Sequence, residues 1–147
     1  MRAAFVALTV VTLAAAAAGT AGAGPVASPN PCRLVTPTDV KAALGTAVGR
    51  GMLQSLGLYL SCTYRTKSFI TVTVQTRPLS KSDFVRSAKA NPPPVKGVSG
   101  LGAPAYYAAG ATLLVWRHGN EATISIFGSG PALSREIKLA RRALSRL

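Results

Sequence analysis

Acidic residues are scarce in this chain of 147 residues, which has only four of them against 17 lysines and arginines. Asp39 and Asp83 follow hydroxyl residues that begin helices, Glu121 borders a predicted hairpin turn, and Glu136 lies in a basic helix. No two of them form the carboxylate pair that acid–base hydrolysis requires. The net charge of +13 instead favours anionic partners such as acidic lipids, wall polymers or nucleic acid.

Histidine and cysteine are almost absent as well. His118 is the single histidine and falls in a predicted turn, so the sequence does not indicate a nucleophile activated by a histidine base. Structural zinc needs four Cys or His ligands, and only Cys32, Cys62 and His118 are present. We therefore expect no metal, no cofactor and no enzymatic activity. The enzyme class left open would use Ser, Tyr or Arg without a histidine base.

The N-terminus predicts export. Arg2 precedes an apolar run over residues 3–18, and Ala21 and Ala23 fit the small-residue rule of signal peptidase, which places cleavage after Ala23. An uncleaved anchor is the alternative, because the apolar stretch is almost long enough to span a bilayer. Its composition of mainly Ala and Gly favours cleavage. We expect a secreted protein or one of the extracytoplasmic cell envelope.

The remaining length suits one domain. The prediction is a signal peptide over residues 1–23, a short leader over 24–31, and a single α+β domain over 32–147. Cys32 and Cys62 are the only cysteines, and an oxidising compartment favours a disulfide between them. Closure of that loop would stabilise the domain by about 3 to 4 kcal/mol.

Three helices are predicted from their start signals. Thr36 and Asp39 form a capping pattern before a helix over 37–44, and Ser80 and Asp83 repeat it before a helix that ends at the prolines of 91–94. Pro131 opens the last helix. The Gly-rich segment 45–57 is interpreted as a loop whose apolar residues Met52, Leu53 and Leu56 anchor in the core.

Alternating residues predict two blocks of strands. Residues 58–65 and 69–77 form a hairpin joined by 66–68, and residues 105–109, 112–117 and 122–127 form a meander. The order of elements predicts an antiparallel sheet of about five strands with three helices, mainly on one face.

Two surfaces are candidate sites. On the last helix, basic residues gather opposite the leucines and predict contact with anionic groups; they are Arg135, Lys138, Arg142 and Arg146, with Arg141 beside them and Arg65, Lys67 and Arg77 as an extension from the hairpin. A solvated helix face is the alternative. Tyr106, Tyr107 and Trp116 are candidates for a ligand cleft, or else are divided between core and surface.

Three segments also carry a family resemblance: a cysteine before a capped helix (Asn30-Pro31-Cys32 through Leu44-Gly45), Cys62-Thr63-Tyr64, and Gly100-Leu101-Gly102 followed by Tyr106-Tyr107. Together they resemble a large group of uncharacterised exported and lipid-anchored actinobacterial domains. The resemblance implies an envelope or extracellular location, a Cys32–Cys62 disulfide and no catalytic residues. The chain lacks the acylation cysteine of the lipid-anchored members, and it has Ala103-Pro104 where they often have an acid.

These observations favour an exported, non-enzymatic binding or sensing domain at the cell envelope whose basic surface faces anionic material. A structural or accessory component of an envelope protein complex is the alternative, with an exposed strand edge or a leucine-rich helix face as the contact. The expected partners are anionic envelope material or an envelope protein. Specific nucleic-acid binding is not expected, peripheral membrane contact is compatible with the charge, and the sequence does not predict an oligomeric state.

Overall fold

The computed structural model describes residues 27–90, 95–108, 112–128, 130 and 132–147. The predicted signal peptide over 1–23 and its cleavage site, residues 24–26 of the leader, the proline run at 91–94 and Pro131 lie outside these ranges. Within them, no helix combines the length and the apolar character that are needed to cross a membrane.

One antiparallel sheet contains all seven strands of the described residues, in the order β1-β2-β3-β7-β6-β5-β4. Four helices accompany it, so the predicted α+β class is confirmed, with more strands and helices than expected. In chain order the elements are α1 (Pro31–Leu34), α2 (Pro37–Leu44), β1 (Met52–Leu56), β2 (Tyr59–Arg65), β3 (Thr71–Pro78), α3 (Lys81–Ala90), β4 (Lys96–Gly97), β5 (Ala105–Ala108), β6 (Thr112–Arg117), β7 (Asn120–Phe127) and α4 (Leu133–Leu144).

The capping signals in the sequence mark the starts of α2 and α3. At α2, the Asp39 N–H donates to Thr36 Oγ1 over 3.3 Å, and the Thr36 N–H donates to the Asp39 carboxylate over 2.9 Å. At α3, the Asp83 N–H donates to Ser80 Oγ over 3.1 Å. Each bond satisfies a backbone donor that the helix itself leaves unpaired, which is why so short a pattern predicts a helix start.

The short strand β1 replaces part of the predicted loop, and the expectation that Met52, Leu53 and Leu56 anchor the core is wrong. All three side chains are about half exposed. The reason is their position: β1 pairs with β2 along one side, and no described strand pairs with its other side. A strand at the edge of a sheet has a neighbouring strand on one side only, so its apolar side chains can stay exposed to solvent.

The main core lies on one face of the sheet. Register places Val74, Ile124 and Leu113 opposite one another on the three central strands, and all three are fully buried. Helices α1, α2 and α4 cover this face. Their core contribution is Leu34, Val35, Val40, Leu139, Ala140, Ala143 and Leu144. Burial of this alternating row supplies the main favourable term of folding.

Helix α3 covers the opposite face. Phe84 is fully buried, and its ring centroid lies 5.6 Å from that of Tyr106, whose strand partner is Leu114. On the same face, Trp116 Nε1 donates to the Leu79 carbonyl over 2.7 Å, just before α3 begins. The sequence predicts helices mainly on one face; in the described residues, α1, α2 and α4 lie on one face of the sheet and α3 lies on the other.

A disulfide ties α1 to the sheet. Cys32 and Cys62 are bonded, with their Cα atoms 5.2 Å apart and a sequence separation of 30. Beside it, the Tyr64 hydroxyl donates to the Val35 carbonyl. Gly51 passes so close that a Cβ there would lie 2.6 Å from both Cys62 Sγ and a Tyr64 ring carbon.

This close contact at Gly51 predicts that a side chain added there would destabilise the fold. Gly51→Ala should lower the free energy of unfolding by about 1 to 3 kcal/mol, because the added methyl overlaps the disulfide and a buried ring. Urea denaturation measures the change. Gly97→Ala is the control, since a Cβ there meets no atom within 4 Å, and it should alter stability by less than about 0.5 kcal/mol. Equal losses would contradict the packing argument.

Glu136 attaches α4 to β7 from inside the protein. The side chain is fully buried, and its Oε1 accepts the Ile126 N–H over 3.3 Å, whereas Oε2 has no partner within the described part of the chain. Burial raises the pKa of this carboxyl to about 7, although the bond from Ile126 acts in the opposite direction.

The raised pKa predicts a pH dependence of stability. Between pH 4.5, the ordinary pKa of glutamate, and about 7, the folded chain holds a proton at Glu136 that the unfolded chain has released. The free energy of unfolding should therefore fall as pH rises through this window. Glu136→Gln should remove that slope, which urea denaturation at several pH values would detect. The same slope in both proteins would contradict the assignment.

Candidate basic groove

A groove of about 390 Å³ runs between α2 and α4 on the outside of the helical layer. Its lining residues are Asp39, Ala42, Ala43, Lys138, Arg141, Arg142 and Ser145. Helix α2 supplies the small apolar residues, and α4 supplies the basic ones.

The two sides of the groove differ in chemistry because α2 and α4 line it with different types of residue. Ala42 and Ala43 give one wall that lacks long side chains. Lys138, Arg141 and Arg142 follow at spacings of three and four residues, which places them on one face of α4, and all three are exposed. The result is an apolar wall with a cationic rim.

Asp39 lies at one end of the groove and joins the two helices. Its Oδ2 accepts Arg146 Nη1 over 2.6 Å and the Thr36 hydroxyl over 2.7 Å, and its Oδ1 lies 3.4 Å from Arg146 Nη2. Arg142 Nε is 3.7 Å from the same Oδ1. Arg146 also donates to the Leu34 carbonyl over 2.7 Å, so this arginine, just beyond the end of α4, holds both α1 and α2.

These bonds keep Asp39 ionised. Burial alone would raise the pKa of the carboxyl, but the hydrogen bonds from Arg146 and Thr36 together outweigh it and lower the pKa to about 2. The Asp39 side chain therefore stays negatively charged at any ordinary pH, and both of its oxygens are in contact with neighbouring side chains.

The four residues predicted as an anion-binding stripe therefore stand in different situations. Arg146 is bound to Asp39 and Leu34, and Arg142 shares the same carboxylate while remaining largely exposed. Lys138 is exposed on the rim, and Arg135 is half-buried near the start of α4. Arg141, which the sequence places beside the stripe, lies on the rim with Lys138.

Lys138 and Arg141 are the chemically available part of the groove. Among the described residues, no carboxylate forms an ion pair with either of them. Two adjacent cations without a counterion favour an external phosphate or carboxylate, since each forms charge-assisted hydrogen bonds with such oxygens.

The aromatic residues do not form a single cleft. Tyr106 and Tyr107 are adjacent in β5 and so point to opposite faces, Tyr107 toward the main core and Tyr106 toward Phe84 under α3. Trp116 shares the α3 side with Tyr106, and its indole nitrogen is already bonded to Leu79. The three rings are divided by the sheet.

Under α3 lies a second, polar cavity of about 360 Å³. Arg77 pairs there with the buried Glu121 over 2.9 Å and stacks on the Tyr59 ring at 4.8 Å, while Thr123 donates to the other Glu121 oxygen over 3.2 Å. Both carboxylate oxygens thus have internal partners. Arg77 is part of this network and does not extend the groove of α4.

His118 occupies an exposed turn in a left-handed conformation, and its Nε2 accepts Arg117 Nε over 3.1 Å. In the described ranges, no three His, Cys, Asp or Glu side chains lie close enough together to hold a metal ion.

Comparison of the chain with protein-family models, with curated proteins and with solved structures gave no match. The resemblance to exported actinobacterial domains therefore stays a prediction. The disulfide that it implies is present, but a paired cysteine does not by itself identify a family.

One feature of the groove, the ion pair that joins its two sides, was not predicted from the sequence. The Asp39–Arg146 pair joins residues 107 apart, and nothing in either segment indicates the other. The scarcity of acids was the available signal, because a partly buried carboxylate in so basic a chain would be expected to attract an arginine. The adjacent alanines of α2 gave a second, weaker signal, since small residues let another helix approach.

The Asp39–Arg146 pair predicts a stability loss that becomes smaller in acid. Arg146→Gln should lower the free energy of unfolding by about 1 to 2 kcal/mol at neutral pH, because it weakens bonds to a carboxylate and a carbonyl. The contribution of ionised Asp39 is present above its ordinary pKa of 3.8 and is lost as pH falls toward and below 2, so the difference between the two proteins should shrink there toward the share of the Leu34 bond, which does not titrate.

Arg86→Gln is the matched control, since Arg86 pairs with Asp83 at an exposed site over 3.3 Å. It should change stability by less than about 0.5 kcal/mol. Urea denaturation of the three proteins between pH 2 and 7 makes the comparison. A loss in Arg146→Gln that persisted undiminished at pH 2 would refute the role of the ion pair.

Proposed function

We propose that this protein is an exported, non-enzymatic domain that binds anionic material of the cell envelope through the groove between α2 and α4. The observation that carries the proposal is the cationic rim of Lys138 and Arg141, which has no internal counterion among the described residues.

The arrangement of charge around the groove favours anion binding over the alternative of a uniformly solvated helix face. Asp39 neutralises one end of the groove and is saturated by Arg146, so it fixes the two helices without capturing Lys138 or Arg141. The alanine wall of α2 leaves room for the body of a polymer repeat beside the rim. Charged groups in a concave, partly apolar site attract counterions more strongly than the same groups on a convex surface.

A second candidate function is supported by β1. The strand exposes Met52, Leu53 and Leu56 and has an outer edge that no described strand covers. An apolar edge of this kind suits pairing with a protein partner, as a structural component of an envelope complex requires. Tight, salt-insensitive binding to one envelope protein would favour this alternative.

The groove can be tested with defined polyanions. Lys138→Gln combined with Arg141→Gln should weaken binding to polyphosphate and to polyglutamate by about tenfold at physiological salt, and should reduce the dependence of affinity on salt, because two cations leave the contact. Fluorescence anisotropy with labelled polymer measures both quantities. Polyphosphate and polyglutamate distinguish a preference for phosphate from one for carboxylate.

The matched control removes the same charge from the other face of the sheet. Lys81→Gln combined with Lys89→Gln alters two exposed lysines of α3, and it should change affinity by less than about twofold, through net charge alone. If both double variants lost affinity equally, the positive charge would be merely adhesive and the groove would not be a site.

A further inference from the structure

Phe69 has an environment that packing does not explain. Its side chain is 91% exposed, more than any other large hydrophobic residue of the described ranges, and its backbone has a φ of +62°. Aromatic residues rarely adopt this left-handed conformation, and the strain persists only where neighbouring structure imposes it. The fold thus holds a large apolar ring out in solvent at a cost to the backbone.

The turn that presents Phe69 is built around Thr66. The Thr66 N–H donates to the Ile70 carbonyl over 3.0 Å, its carbonyl accepts the Phe69 N–H over 3.3 Å, and its hydroxyl accepts the Ile70 N–H over 3.0 Å. Thr66 is itself buried and bridges to Val48. A turn with these bonds is preorganised, so the exposed ring has a defined position.

The end of β7 supports the same turn and adds a second phenylalanine. Gly128 has a φ of +83°, and a Cβ there would lie 3.1 Å from the Phe69 carbonyl oxygen, so the two segments are in close contact. Phe127, the residue before it, is half exposed and pairs in register with Thr71. Two exposed phenylalanines therefore occur at one end of the sheet.

Basic residues accompany these rings. Lys67 is an exposed residue of the turn, and Arg65 is exposed in the row that also contains Thr71 and Phe127. No carboxylate of the described residues forms an ion pair with Lys67 or Arg65. We call this surface, comprising Arg65, Lys67, Phe69 and Phe127, the sheet tip.

We propose that the sheet tip docks on an anionic lipid bilayer. Phe69 and Phe127 enter the interfacial region, where aromatic rings are favoured, and Lys67 and Arg65 contact the phosphates of the headgroups. Charge complementarity selects this occupant over an uncharged protein surface, because the tip combines apolar rings with cations that form no ion pair within the described ranges. The inference goes beyond the polymer-binding groove, since the two surfaces share no residue.

Docking of this kind is peripheral and reversible. One or two aromatic side chains and two cations give weak partitioning, so binding should require anionic lipid and should weaken as salt rises. Phe69→Ser should reduce partitioning by about tenfold, the effect of removing one large apolar group from the contact.

The test uses a fluorescent probe at the tip of the full chain, because such a probe reports whether the tip itself enters the bilayer and not merely whether the chain is attached to a vesicle. The Phe69→Trp variant is mixed with vesicles of phosphatidylcholine, with or without phosphatidylglycerol, and the emission of native Trp116 is subtracted using the unsubstituted protein. We expect a blue shift, and quenching by brominated acyl chains, only when phosphatidylglycerol is present. Adding Lys67→Gln and Arg65→Gln should reduce the shift at least about fivefold at physiological salt.

Leu58→Trp is the matched control, since Leu58 is 79% exposed in the turn between β1 and β2, at the other end of β2. The emission of its introduced indole should not change. Three results would each overturn the proposal: an unchanged spectrum of the Phe69→Trp variant, an equal shift on uncharged vesicles, or a shift confined to the Leu58→Trp variant.

The tip and the groove are separable in the same experiments. Phe69→Ser should leave polyphosphate binding unchanged, and adding Lys138→Gln with Arg141→Gln to the Phe69→Trp variant should leave its lipid-induced shift unchanged. If the groove variants behave as predicted toward polyphosphate but the Phe69→Trp variant shows no lipid-induced shift, the tip alone is refuted. If that shift appears but Lys138→Gln with Arg141→Gln does not weaken polyphosphate binding, the groove alone is refuted.

Discussion

The chain has seventeen cationic side chains and only four acidic ones, and each acidic side chain has a structural role within the described fold. Asp39 caps α2 and binds α4, Asp83 caps α3, Glu121 holds Arg77 under that helix, and Glu136 accepts a backbone N–H of β7. Mutual repulsion of the cations opposes compaction, so the few favourable charge contacts are concentrated where elements meet. The excess positive charge is left on the surface.

Local signals in the sequence predicted much of the secondary structure. The hydroxyl and the acid of each capping pattern lie three residues apart and bond to each other, so Thr36 and Asp39 define the start of α2 regardless of distant contacts. Alternation likewise identified β3, since Val72 and Val74 point into the core while Thr73 does not. These features depend on neighbours in sequence, which a single sequence contains.

The parts that could not be predicted depend on residues far apart. Leu53 is interpreted as a core residue until its strand is placed at an edge, and the capping pattern of Ser80 and Asp83 predicts α3 without indicating which face of the sheet it covers. The sequence indicates a basic stripe on α4, but the share of it that Asp39 neutralises depends on how α2 packs. The register of the strands and the face on which each helix packs depend on the whole chain, and local residue patterns indicate them only weakly.

The strand order also divides the sheet into two halves that are each continuous in sequence. Strands β1 to β3 form one and β4 to β7 the other, and the pairing of β3 with β7 is the seam between them. Core-facing apolar residues line this seam on both sides, with Val72 opposite Ile126 and Val74 opposite Ile124. The paired residues of this seam are remote in sequence, Thr71 with Phe127 and Pro78 with Asn120. The centre of the sheet therefore closes only when the whole segment between β3 and β7 has folded back, so the most buried pairing of the fold is also the least local one.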